Sequence, residues 1–133
     1  MLGNHWRLRA SNTQNQAITV TVKARFFKFD SNGALVWSAE QTLINAVSVS
    51  ATTGTTVSSA VPNDTDKYIG AELTVGMTAA SATNGTGALS ITLERSTDTG
   101  TTWPSSDRGQ FVGAETLTSG DGTNTRLRNY LIR

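Results

Sequence analysis

From Leu89 to Glu94 apolar and polar residues alternate, and the ladder runs straight into Ser96-Thr97-Asp98-Thr99-Gly100-Thr101-Thr102-Trp103. No other stretch limits the fold so tightly. Leu89, Ile91 and Leu93 share one side of a period-2 pattern, with Ser90, Thr92 and Glu94 opposite, as in a half-buried strand. Past the strand, Asp98 can accept backbone N–H groups across a tight turn and Gly100 can take the positive φ that closes it. Trp103 is expected to fold back over the apolar side as a cover. The predicted unit is a self-locking hairpin corner made of Ser96, Asp98, Gly100, Thr102 and Trp103.

The spacing Ser-x-Asp-x-Gly-x-Thr-Trp resembles the Asp-box hairpin of sialidases and other β-propellers, where it is a structural repeat away from the catalytic centre. It occurs once here and covers eight residues, so the resemblance implies a hairpin and no glycoside hydrolysis. Similar corners occur in small β-domains of tailed bacteriophage particles, which this sequence resembles in texture. That resemblance implies a structural protein located in the virion.

The rest of the chain agrees with a β-fold. Its 133 residues leave room for one domain over 1–133 with one core, and the absence of cysteine removes disulfides and thiolate metal sites. Serine and threonine fill about a quarter of the chain, 12 glycines punctuate it, and charged residues reach only 16%. This composition favours strands over helices. A net charge of +1 without a basic run makes nucleic-acid binding an unlikely role, and a surface so poor in charge suits a subunit packed into an assembly. No apolar run approaches a secretory signal or a membrane span, so no membrane association is expected.

Residues 1–11 place Trp6 and Leu8 opposite His5, Arg7 and Arg9, which reads either as an edge strand of the domain or as an intersubunit arm. Ile18, Val20, Val22, Ala24 and Phe26 then alternate along a long strand. Phe27 and Phe29 fall in the opposite phase, predicting either a bulge near Phe26 or burial on both faces. Asp30-Ser31-Asn32-Gly33 marks a turn, and Ala34 to Ile44 returns as the second arm of a hairpin. The three phenylalanines with Trp37 are expected to form core, with an oligomer interface or a ligand-stacking surface as alternatives. Val47 to Ala51 suggests another short strand, Thr52 to Ser59 a loop or edge strand, and Pro62-Asn63-Asp64 a turn. Ile69, Ala71, Leu73, Val75 and Met77 form a clear inward ladder. A strand over Phe111 to Leu117 and a final one over Thr125 to Ile132 complete the chain. These segments predict an antiparallel β-sandwich of immunoglobulin-like or jelly-roll type, with a closed β-barrel as the alternative.

Catalytic, cofactor-binding and metal-binding residues are not expected. His5 is the single histidine, so one chain cannot build a multi-histidine centre, and no nucleotide-binding glycine motif precedes a helix. Asp64 and Asp66 lack the twelve-residue loop of a calcium site and read as turn residues. Glu72 with Glu94, or Asp98 with Asp107, could be imagined as a glycosidase pair, but nothing in their spacing makes them face each other. Trp6, Arg7, Arg9, Arg126 and Arg128 are the candidate interface residues. For the two late arginines a solvated face, a protein interface and a phosphate anchor are the three readings. The expected function is that of a virion subunit, a capsid decoration or a tail or fibre component, docking on coat or tail proteins and on copies of itself. A carbohydrate-binding β-sandwich module is the alternative.

Overall fold

The computed structural model describes residues 5–81, 85–103, 109–119 and 121–133, and they form ten β-strands. In chain order these are β1 (His5–Asn12), β2 (Ile18–Phe29), β3 (Leu35–Trp37), β4 (Gln41–Val49), β5 (Gly54–Val57), β6 (Val61–Pro62), β7 (Gly70–Ala79), β8 (Leu89–Arg95), β9 (Gln110–Glu115) and β10 (Arg126–Ile132). All pairings are antiparallel. Sheet A runs β5-β1-β8-β9, with β6 continuing the β5 side of β1. Sheet B runs β10-β7-β2-β3, with β4 also paired to β2.

The two sheets pack face to face, so the domain is a β-sandwich and the closed barrel is ruled out. Period-2 alternation explains which side of each strand faces in. Sheet A contributes Trp6, Leu8, Ala10, Leu89, Ile91 and Leu93 to the core, and sheet B contributes Ile18, Val20, Val22, Phe26, Leu73 and Val75. Trp6 meets Phe26 across the gap edge to face, with ring centroids 5.5 Å apart. The amide side chains of the β1–β2 turn continue the alternation. Asn12, Gln14 and Gln16 are buried, and Asn12 Nδ2 donates to the carbonyls of Gln16 (2.8 Å) and Val49 (3.1 Å).

Several sequence expectations are corrected. His5–Ser11 form neither an edge strand nor an arm, because β1 is central in sheet A between β5/β6 and β8. The return arm after Gly33 is broken at 38–40 into β3 and β4, and Val47 and Val49 belong to β4. There is no bulge at Phe26, since β2 pairs with β7 in unbroken register from Ile18↔Ala79 to Phe27↔Gly70. The register shifts lie instead between β2 and β4, where Ala46 takes φ 49° and its N–H donates to Thr21 Oγ1 (3.1 Å).

The open side between β9 and β10 is closed by side chains. Tyr130 lies against Gly113 so closely that a Cβ there would sit 2.3 Å from its ring. Arg128 Nε donates to Glu115 Oε1 (2.8 Å), and Arg126 bonds to both Glu115 (3.2 Å) and Asp121. The Thr118 amide and then Arg126 hold the Asp121 carboxyl below its ordinary range.

Candidate functional site

The sandwich has two outer faces, and the chain treats them differently. On sheet A, Arg7 and Arg9 of β1 flank Glu94 of β8. Arg7 Nε donates to Glu94 Oε2 (2.7 Å) and Arg9 Nε to Oε1 (2.6 Å). Glu94 is fully buried although it points away from the core. Burial opposes its charge, but the hydrogen bonds from Arg9 and Arg7 outweigh that and keep the carboxyl below its ordinary range. The Trp103 ring lies over the Arg7 guanidinium, 4.3 Å from it. A Cβ on Gly109 would come within 3.5 Å of Glu94 Cγ, so the chain also passes close on that side.

Trp103 therefore covers the opposite side of the sheet from the one expected. It lies over Arg7, one member of the ion triad, and leaves the core to others. The corner that delivers it is held by the residues the spacing singled out. Asp98 Oδ1 accepts the N–H groups of Thr101 and Thr102, both at 2.9 Å, and Ser96 Oγ accepts those of Asp98 (3.2 Å) and Gly100 (3.0 Å). Gly100 has φ 91°. The donations to Asp98, led by the Thr102 amide, hold its carboxyl far below the ordinary carboxylate range. Its lone pairs are committed to the turn.

Of the candidate interface residues, Trp6 is excluded because it is fully buried in the core. Arg7 and Arg9 share the single carboxylate of Glu94, and Arg126 and Arg128 face Glu115 and Asp121 along the β9–β10 seam, so each of the four is engaged in an ion pair. Glu72 and Glu94 lie on opposite faces of the sandwich, which rules them out as a facing pair; Asp107 lies outside the described residues. Asp66 offers its carbonyl to Lys28 Nζ (3.0 Å), and among the described residues no group of three or more His, Asp or Glu could hold a metal.

Sheet B presents the open face. At one end Thr19, Thr21, Thr74, Thr78 and Thr125 line a groove of about 410 Å³ with Gly76 as its floor and Leu127 as a wall. The Lys23–Glu40 ion pair (3.2 Å) borders it. At the other end Phe27, Phe29, Leu35, Trp37, Ile69 and Leu131 surround a second groove of about 400 Å³, with Arg133 beside them. The expectation that the phenylalanines and Trp37 form one core cluster is thus corrected: Phe26 is core, but Phe27, Phe29 and Trp37 face outward. Strict alternation along β2 is the reason, because an unbroken register with β7 sends odd-numbered residues to the outer side. Phe29 is 59% exposed and Trp37 39%. Phe27 rests on Gly70, where a Cβ would sit 2.2 Å from its ring, and meets Trp37 at 5.0 Å with a 51° tilt.

What the sequence missed is the burial of Glu94. Its place opposite two alternating arginines, Arg7 and Arg9, was the available signal, but it depended on knowing that β1 pairs with β8. Comparison with protein-family models, with curated proteins and with solved structures finds no match to this chain.

Proposed function

We propose that the protein is a structural subunit of a virus particle, a capsid decoration or a tail or fibre component, that works by docking on coat or tail proteins and on copies of itself. The observation that carries this reading is the apolar end of sheet B. Phe27, Phe29, Leu35, Trp37 and Leu131 form one continuous solvent-facing surface, and contiguous exposure of that kind marks an interaction site. No chemistry, cofactor or membrane contact is assigned to it.

The fold reading that goes with this function is a jelly roll, an architecture common in viral capsid and lectin domains. Starting from β4 and counting cyclically as β4, β5, β7, β8, β9, β10, β1, β2, the first strand pairs with the eighth, the second with the seventh, the third with the sixth and the fourth with the fifth. Four nested pairs of this kind are a long hairpin rolled into two sheets, with the chain entering at the seventh strand. An immunoglobulin-like connectivity does not nest all four pairs.

A carbohydrate-binding module is the second reading, favoured by the exposure of Trp37 beside two phenylalanines. Against it, the Phe27 and Trp37 rings are tilted and offer no flat platform, and among the described residues lining the groove Arg133 is the one charged side chain. Sugar hydroxyls need more directional partners than that.

Co-sedimentation with tailed-phage heads and tails assembled without this subunit tests the proposal. Wild-type protein is expected to co-sediment, and Phe29→Ser combined with Leu35→Ser to lose binding while remaining folded. A wild-type chain that binds neither particle, or that binds glycans through Trp37 instead, contradicts it.

A further inference from the structure

The free edges of the two sheets differ in how they are guarded. An exposed strand edge invites pairing with another chain, and proteins blunt it by shortness, proline, bulges or irregularity. In sheet A, β5 has four residues, β6 has two and includes Pro62, and β9 carries a register shift opposite Ile91 and Thr92. On the β2 side of sheet B, β3 has three residues and β4 carries two register shifts. The remaining edge, β10, has none of these devices, and its two arginines, which could guard it by charge, are held by Glu115 and Asp121. Its seven residues run in unbroken register along β7, from Arg126↔Met77 to Ile132↔Ala71.

We propose that β10 pairs antiparallel with β10 of a second copy of this chain, about a twofold axis at Asn129 normal to the sheet, so that the two B sheets join into one. This deepens the assembly reading above by naming a surface and its partner, and it rests on that reading only for its role in a particle. The register follows from chemistry. Residues directly opposite in an antiparallel pair share a face, so a twofold normal to the sheet must pass through a residue and cannot fall between two. Centred on Asn129, all seven residues pair. Leu127, 62% exposed, then faces Leu131 of the other copy, itself 51% exposed, and this occurs twice.

On the opposite face Arg126 meets Ile132 and Arg128 meets Tyr130, so no like charges are opposed, and a guanidinium lies beside an aromatic ring. The neighbouring registers are worse. Centring on Arg128 sets that arginine against its own copy, and centring on Tyr130 shortens the ladder and leaves Leu131 against Asn129. The internal ion pairs of Arg126 and Arg128 with Glu115 and Asp121 already compensate the charge that would otherwise accumulate along this seam. Joining the sheets also brings Leu127, the wall of one copy's threonine groove, against Leu131 at the margin of the other's apolar patch.

The chain has no cysteine, so Asn129→Cys introduces a unique thiol. Across the axis the two Cα atoms would lie about 4.5–5.5 Å apart, within the span a disulfide bridges. Mild oxidation of the purified chain is expected to cross-link Asn129→Cys into a covalent dimer, and to leave Leu127→Cys, which faces Leu131, and Asn32→Cys, on the distant β2–β3 turn, without a cross-link. By sedimentation velocity the unmodified protein should be a dimer, and Asn129→Lys, which opposes two ammonium groups, should weaken it at least tenfold. Phe29→Ser should leave the dimer intact. A monomer across the whole concentration series, equal cross-linking at the three positions, or a dimer dispersed by Phe29→Ser but not by Asn129→Lys would each overturn the pairing. Particle binding by the apolar patch would survive a monomeric chain or cross-linking without preference of position, whereas a dimer dispersed by Phe29→Ser alone would put the second copy on the patch itself, so the results separate the two proposals.

Discussion

The outer faces of sheets A and B are built from strands of the same kind, yet they place charge and apolar surface differently. On sheet A Glu94 is buried between Arg7 and Arg9, Trp103 lies over Arg7, and the exposed apolar side chains, Val57 and Phe111, sit apart on opposite edges of the sheet. On sheet B the apolar groups Phe29, Leu35, Leu127 and Leu131 remain in water. A buried carboxylate on one face and a contiguous apolar patch in water on the other both depart from the usual allocation, in which charge is solvated and apolar surface is covered. The covering corner in the chain is used on the face that holds ions. This contrast underlies the proposal that another molecule covers the apolar end of sheet B.

The sharpest way to break the contrast is at Glu94. Glu94→Ala leaves the neighbouring Arg7 and Arg9 guanidiniums without their carboxylate, and losing one partner of a buried ion group should lower unfolding free energy by about 3 kcal/mol, measured by urea denaturation. The pH dependence has a defined sign. Because the folded carboxyl titrates below its ordinary value of 4.5, its contribution is complete above that pH and is lost as pH falls through the lowered folded value. Glu94→Gln should flatten that acid limb of the stability curve.

Gly70→Ala tests the open face from beneath. The added Cβ would lie 2.2 Å from the Phe27 ring and 2.3 Å from the Ile132 carbonyl, so β7, Phe27 and β10 cannot all keep their places. Overpacking of this kind should cost about 2 kcal/mol and also weaken particle binding, because Phe27 is displaced from the patch. Trp103→Ala should cost less, about 1 kcal/mol for a cation–π contact, since Trp103 is only half-buried and covers Arg7 instead of the core. A loss near that of a fully buried tryptophan, about 3–5 kcal/mol, would place it in the core after all. Phe29→Ser is the smallest in stability, within about 0.5 kcal/mol for an exposed site. Its effect should appear in association, and a large fall in melting temperature would show that the patch belongs to the fold.

The core was largely legible because alternation is a local signal. Ile18 to Phe26, Ala71 to Met77 and Leu89 to Leu93 each mark their inward side without knowledge of the partner strand. The same rule, applied without a bulge, already places Phe27 and Phe29 outside. The expectation failed there because aromatic residues were assumed to need the interior. Trp6 was misread for the converse reason: a short strand flanked by arginines looks peripheral until β8 and β5 are placed on either side of it. The destination of Trp103 was not legible at all. Asp98 and Gly100 specify the turn, but which face receives the tryptophan depends on Arg7, 96 positions earlier in the chain.

Hydrogen–deuterium exchange, compared between the dilute chain and the chain assembled on particles, tests the central claim most directly. The account predicts slower exchange on assembly in 126–132 and 35–37, at the free edge and apolar end of sheet B, with 5–12 and 89–95 unchanged. Protection confined to 96–103 and the strands of sheet A, with β10 and β3 unaffected, would contradict it.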